Sequence, residues 1–190
     1  MKKFLILPCL AAVLTLLIGT ATADSIKGGL GVTGRIGFIV PSDNSNIATG
    51  VIGTNTNFIG GGGFIYGVTD TVAAELDITH AGFNAFDITN ISLGAQYRFI
   101  DLPIRHLVPY AGAGLDILLN GIDVGSVDNV VGIHLCAGVD YFLRKQLALT
   151  AELKGVLAPN ADIKLPSGIK VGDFDPTSFS MTFGVRYFFN

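Results

Sequence analysis

Along most of this chain apolar and polar side chains alternate every second residue, the period of a β-strand with one face in an apolar medium. The C-terminal end shows it best. In SFSMTFGVRYFFN, Ser178 to Asn190, one face holds Phe179, Met181, Phe183, Val185, Tyr187 and Phe189. The other holds Ser178, Ser180, Thr182, Gly184 and Arg186. The same alternation predicts strands over about 30–40 (Val32, Gly34, Ile36, Phe38 and Val40 against Thr33 and Arg35), 57–68 and 72–80. It predicts a fourth from Thr89 to Phe99, and others over about 109–119, 130–142 and 147–157. That makes eight strands.

The predicted links alternate in length. Those around 69–71, 100–108 and 143–146 are short to medium. Those after the first, third, fifth and seventh strands are generally longer and rich in Gly, Asn, Asp, Ser and Pro. Short turns on one side and long loops on the other are the habit of outer-membrane barrels, which puts both chain ends on the periplasmic side.

Lys2 and Lys3, an apolar stretch from Phe4 to Ile18, and the A-x-A site Ala21-Thr22-Ala23 make a secretory leader. The expected division is a cleaved signal peptide, 1–23, and a single domain, 24–190. Cleavage removes two lysines and leaves 10 basic residues against 15 acidic, a formal charge of −5. No basic patch suits nucleic acid. Cys136 then has no cysteine to pair with.

The composition agrees with a membrane barrel. The chain is 49% hydrophobic and 14% charged, against about 25% charged in an average soluble domain. Yet no apolar run of about 18 residues follows the leader. Apolar composition without an apolar helix is what a membrane-spanning barrel needs. A soluble lipocalin-like barrel would turn the apolar face inward and leave the polar faces to water. Here those polar faces are mostly Gly, Ser, Thr and Asn, and Tyr66, Tyr97, Phe99, Tyr141, Tyr187 and Phe189 sit on the apolar faces near one rim. That favours an interfacial girdle. The expected fold is all-β, an eight-stranded antiparallel transmembrane up-and-down barrel in the bacterial outer membrane.

Parity then assigns the interior. Arg35, Glu75, Asp77, Gln96, Arg98, Asp116, Asp140, Glu152, Lys154 and Arg186 point into the lumen, nearly all within a few residues of the periplasmic end. Interleaved signs predict a salt-bridged plug. An eight-stranded barrel is only wide enough for side chains to fill, so no simple aqueous pore is expected. Above lie Ile39, Ile59, Leu118, Val130 and Val156. An apolar upper lumen over a charged floor suits an apolar ligand that enters from outside and leaves sideways into the membrane. The other reading has these residues packing against the loops.

Several stretches carry a family resemblance. Arg35-Ile36-Gly37, YGVTDTVAAEL (Tyr66 to Leu76), VPYAGAGL (Val108 to Leu115), Gly138-Val139-Asp140-Tyr141, Phe174-Asp175-Pro176 and GVRYF (Gly184 to Phe188) resemble the OmpW family of small outer-membrane barrels. The resemblance implies a hydrophobic lumen proposed to pass small apolar molecules by lateral exit. The chain departs from the best-known members of the family at Asp77, where they carry an apolar lumen residue, and at Asn190, in place of the terminal aromatic.

Enzyme motifs are weak. Gly29 to Gly34 matches G-x-G-x-x-G, but no strand precedes it and no helix follows. Gly60 to Gly63 lacks the Lys-Ser/Thr of a phosphate loop. His80 starts a predicted loop, His106 sits in a turn, and His134 faces the lumen with Cys136 and Asp140, a conceivable metal or thiol site that lumen packing also explains. No zinc-ligand spacing occurs. The expectation is a non-enzyme without cofactor or metal. Its partners would be outer-membrane lipid, the barrel-assembly machinery during biogenesis, and small hydrophobic molecules. The alternative is a structural or surface-interaction barrel acting through loops 41–56 and 158–175, the latter reading as solvated.

Overall fold

The computed structural model describes residues 25–42, 56–83, 86–101, 106–122, 126–165, 167 and 169–189. The leader expected over 1–23, and most of loop 41–56, lie outside them. Among the described residues eleven strands are present: β1 (Leu30–Pro41), β2 (Asn57–Gly67), β3 (Val72–Gly82), β4 (Phe86–Arg98), β5 (Leu107–Ile122), β6 (Ser126–Val127), β7 (Val130–Arg144), β8 (Leu147–Leu157), β9 (Ala161–Lys164), β10 (Lys170–Phe174) and β11 (Ser178–Phe189).

Eight of them close into an antiparallel barrel in the order β1-β11-β8-β7-β5-β4-β3-β2. Closure joins the first strand to the last, with Leu30 opposite Phe189 and Pro41 opposite Ser178. Each barrel strand has two neighbours, so no edge remains with unpaired backbone groups, as a hydrocarbon environment demands.

The radial arrangement inverts that of a soluble protein. The buried set includes Arg35, Asp77, Gln96, Arg98, Asp116, Asp140, Glu152 and Arg186, while Ile36, Phe58, Phe64, Leu93, Val131 and Leu135 are exposed. Leu135 is 68% exposed and Arg186 0%. A continuous apolar wall of this extent is not stable against water, whereas lipid solvates it. Tyr66, Tyr97, Phe99, Tyr141, Tyr187 and Phe189 are all outward and exposed at the rim that holds the chain ends. Two pairs touch edge to face, Tyr97–Phe99 at 5.1 Å and Tyr187–Phe189 at 5.3 Å between ring centroids. This is the aromatic girdle of a membrane barrel.

Several boundaries differ from the sequence expectation. The link after β3 is only residues 83–85, shorter than the link 99–106 on the opposite rim, so long and short connections do not alternate strictly. β3 and β4 pair as far as Gly82 and Asp87, which leaves little chain between them. His80 therefore lies within β3, its Nδ1 3.0 Å from Thr89 Oγ1, and does not start a loop. The 158–175 segment is not simply solvated. Together with 126–127 it forms a second sheet, order β10-β9-β6, across the loop end of the barrel.

Candidate functional site: the barrel lumen

The lumen is layered. At the rim that holds the chain ends Ile26, Ile65, Ala73, Val108, Phe142, Ala148 and Phe188 form an apolar floor, joined by Ile100. Inward parity of the strand ends puts all but Ile26 and Ile100 there, and the rings of Phe142 and Phe188 stack within it, 5.9 Å apart. The charged groups thus do not begin at the rim, because this layer lies beneath them. The alternation marks Ile65, Ala73, Val108, Phe142, Ala148 and Phe188 as inward, but not that they meet in one layer.

The charged layer comes next. Arg186 donates to Asp140 (Nη1 to Oδ2, 2.9 Å), to Glu75 (Nη2 to Oε1, 2.8 Å) and, from Nε, to Thr33 Oγ1 (3.3 Å). Its guanidinium lies over the Tyr110 ring, 4.9 Å from the centroid. Arg98 pairs with the same Asp140 at 2.8 Å. Arg35 reaches Glu75 (2.6 Å), Asp77 (2.7 Å) and Glu152 (2.7 Å), and the Tyr110 hydroxyl donates to Glu152 Oε2 at 2.9 Å. Gln96 Nε2 donates to Glu75 Oε2 at 2.8 Å. Buried charges persist in an apolar surround when each meets opposite charges and further hydrogen bonds, and this net supplies both.

A second polar cluster lies higher, past the midpoint of β5. Asp116 accepts from Asn90 Nδ2 (2.7 Å) and Ser92 Oγ (2.6 Å), pairs with Lys154 Nζ (3.0 Å), and meets His134 Nδ1 at 2.6 Å. Lys154 also donates to Ser92 Oγ. Asp116 and Lys154 are thus farther from the periplasmic rim than parity alone suggested. Glycine makes room for the imidazole: a Cβ on Gly94 would stand 2.9 Å from its Nε2, and one on Gly114 2.6 Å from its Cε1. His134 is thus engaged by Asp116, and Asp140 by two arginines, so His134, Cys136 and Asp140 do not converge. Among the described residues no group of three or more His, Cys, Asp or Glu side chains is placed to hold a metal ion.

Above the clusters the lumen turns apolar. Ile39, Ile59 and Ala81 pack together on one side. Opposite them Ile88, Leu118 and Val156 pack with Phe86 against Val127, Ala161, Ile163 and Phe174 from the second sheet, with Val130 and Phe83 at the margin. Phe86 meets Phe174 edge to face at 4.9 Å. The second sheet thus lids the upper lumen. A cavity in the upper lumen is about 20 Å³ and bounded by Arg35, Ile39, Ile59, Asp77, Asn90, Leu118 and Val156 among others, room for about one water. Arg35 Nε, Asp77 Oδ1 and Asn90 Oδ1 around it have no hydrogen-bond partner among the described residues. With the lid down, little room is left between the lid and the charged net among the described residues.

On the lid's outer side Lys170 lies between Asp162 (2.7 Å) and Asp173 (2.5 Å), and Lys164 pairs with Asp128 at 2.5 Å. The Asp162 carboxylate raises the Lys170 ammonium above the ordinary lysine range, and the Lys170 hydrogen bond lowers Asp162.

Comparison with known proteins bears on the fold. The family described as outer membrane protein beta-barrel domain matches residues 9–187. Among solved structures, the outer membrane protein OprG from Pseudomonas aeruginosa superposes with a TM-score of 0.66 at 18% identity, covering 89% of this chain and 99% of that one. Neisserial surface protein A superposes at 0.63 and 19% identity, covering 86% and 98%. The N-terminal β-barrel domain of P. aeruginosa OprF superposes at 0.56 and 17% identity, also covering 86% and 98%. Such identities speak for a shared fold alone. No curated protein sequence matches the chain.

Proposed function

The chain belongs to the family of outer membrane protein β-barrel domains, and from that premise we propose that it is an OmpW-like narrow barrel passing small hydrophobic molecules across the outer membrane with lateral exit. Residues 1–23 are the export leader in this reading. The observation that carries it is the vertical order of the lumen. Apolar side chains Ile39, Ile59, Leu118 and Val156 stand over a charged net and an apolar floor, and would wall a chamber once the lid lifts. A solute that enters from outside is favoured in the chamber and barred below, so its way out is through the wall. The lid of Val127, Ala161, Ile163 and Phe174 has to lift first.

The test compares cells with and without the protein for entry of two solutes of similar size, one apolar and one polar. Faster entry of the apolar solute alone is expected, and Val156→Asp should abolish the difference by placing a charge in the chamber wall. Equal entry of both solutes in both cell types overturns the reading.

A second reading is favoured by one feature. The β9–β10 hairpin exposes Leu165, Ile169 and Val171 at the loop end, an apolar tip suited to contact with another molecule. Trimming this hairpin should then remove an adhesion or binding phenotype and leave solute entry intact.

A further inference from the structure

In the upper lumen three buried side chains each keep one polar atom unpaired. Arg35 (5% exposed), Asp77 (5%) and Asn90 (8%) line the same cavity of about 20 Å³. Arg35 Nε, Asp77 Oδ1 and Asn90 Oδ1 have no hydrogen-bond partner among the described residues. The rest of each group is already committed. Arg35 gives Nη1 to Glu152 and Nη2 to Glu75 and to Asp77 Oδ2, and Asn90 Nδ2 donates to Asp116. Those bonds fix which atoms are left over, since a flipped Asn90 amide would lose Asp116. Asp77 lies opposite Ser92 and Thr79 opposite Asn90, which makes Asp77 and Asn90 diagonal neighbours on β3 and β4.

A buried donor and two buried acceptors cost stability unless something meets them. Their complement has to accept from Arg35 and donate to an oxygen of Asp77 or Asn90. A single hydroxyl does both, with a lone pair and its proton, and its oxygen fits a space the size of one water. A charged head does not suit. An ammonium would meet Arg35 and Lys154, and a carboxylate would meet Asp77 and Glu152, all on this lining. Ile39, Ile59, Leu118 and Val156 belong to the same lining. Unpaired polar atoms and an apolar wall in one cavity describe an uncharged amphipathic ligand.

We propose that this cavity is the head-group seat for a long-chain primary alcohol, whose hydroxyl accepts from Arg35 Nε and donates to Asp77 Oδ1. The proposal rests on the transport reading above and names its solute class. The alkyl chain lies along Ile39, Ile59, Leu118 and Val156, and takes the place of Ile163 and Phe174 when the lid lifts. A hydrocarbon of the same length leaves Asp77 Oδ1 and Arg35 Nε unmet, which is how a site built around a hydroxyl rejects an analogue without one.

The test uses whole cells producing the native protein or Asp77→Leu, and cells without the protein. The probes are two labelled isomers, 1-dodecanol and methyl undecyl ether, of which only the alcohol can donate a hydrogen bond. Heat-dependent gel mobility checks that each barrel is folded, and Asp77→Ala replaces Asp77→Leu should the latter fail to assemble. The expected result is protein-dependent entry of the alcohol about tenfold faster than that of the ether, the ratio set by leaving one buried acceptor unpaired. Asp77→Leu should bring the alcohol down to the rate of the ether and leave the ether unchanged. Equal entry of the two isomers through the native protein overturns the seat, which then serves water alone, and leaves the transport reading standing. An alcohol preference that survives Asp77→Leu also overturns it. So does equal slowing of both isomers by that variant, which a merely structural Asp77 would give. Neither isomer entering faster than in cells without the protein sinks the transport reading and this proposal together.

Discussion

Arg186 has no exposed surface and binds two carboxylates on different strands, Asp140 of β7 and Glu75 of β3. Arg186→Met keeps the bulk and removes the charge. Asp140 would retain Arg98, and Glu75 would retain Arg35, but both would be under-neutralised in an apolar surround. Breaking a buried pair in this way costs on the order of 3–5 kcal/mol, and urea unfolding in lipid vesicles should show the loss. Leu93→Met, on the lipid face, should leave the midpoint unchanged. Strand parity reveals which residues point inward, because period-two alternation survives any register. It does not reveal partners: Arg35 meets Glu152 117 positions away, and only closure of the sheet makes them neighbours. Asp77 illustrates the limit. The sequence marks it as an inward charge, and the structure supplies its counter-ion, Arg35.

Among the elements, the second sheet was the least legible. Its strands run from two to five residues, and β6 pairs with β9 across a long stretch of chain, with Ser126 opposite Lys164 and Val127 opposite Ile163. A signal was present in Ala161 and Ile163, which alternate with Asp162 and Lys164, but short runs among Gly, Pro and Asp read as loop. Phe174→Ala should loosen this lid without loosening the barrel, because the sheet can open locally while the ladder below stays paired. Hydrogen exchange should quicken over 161–174 and stay unchanged in β4 and β7. Acid should act on the same element. Asp162 is held below the ordinary carboxylate value of 3.8 by Lys170, so its contribution is present above that pH and lost as pH falls through the depressed value. The group is exposed and the contribution correspondingly small. The expected sign is faster exchange in β9 and β10 at strongly acid pH, reduced when Lys170→Gln removes the partner.

For the whole molecule, eight strands and their inward faces follow from the alternation, while the closed floor and lid do not, since both are made by residues far apart in the chain. Floor, ion-pair net and lid in series predict that the protein in a planar bilayer holds no steady ion conductance. A sustained open level would show that the layers part more readily than their packing suggests. The closing strand pair has a consequence for how the molecule comes to exist. Arg186 bonds Thr33 across 153 positions, and β1 finds one of its two neighbours only when β11, the last strand, is in place. Contacts so distant in sequence form slowly. Until they form, a partial sheet would carry unmatched arginines and two open edges into hydrocarbon, which is prohibitive. Synthesis from the N-terminus therefore cannot yield a stable half-barrel. Insertion has to wait for β11, and the chain must be kept from aggregating until that strand arrives.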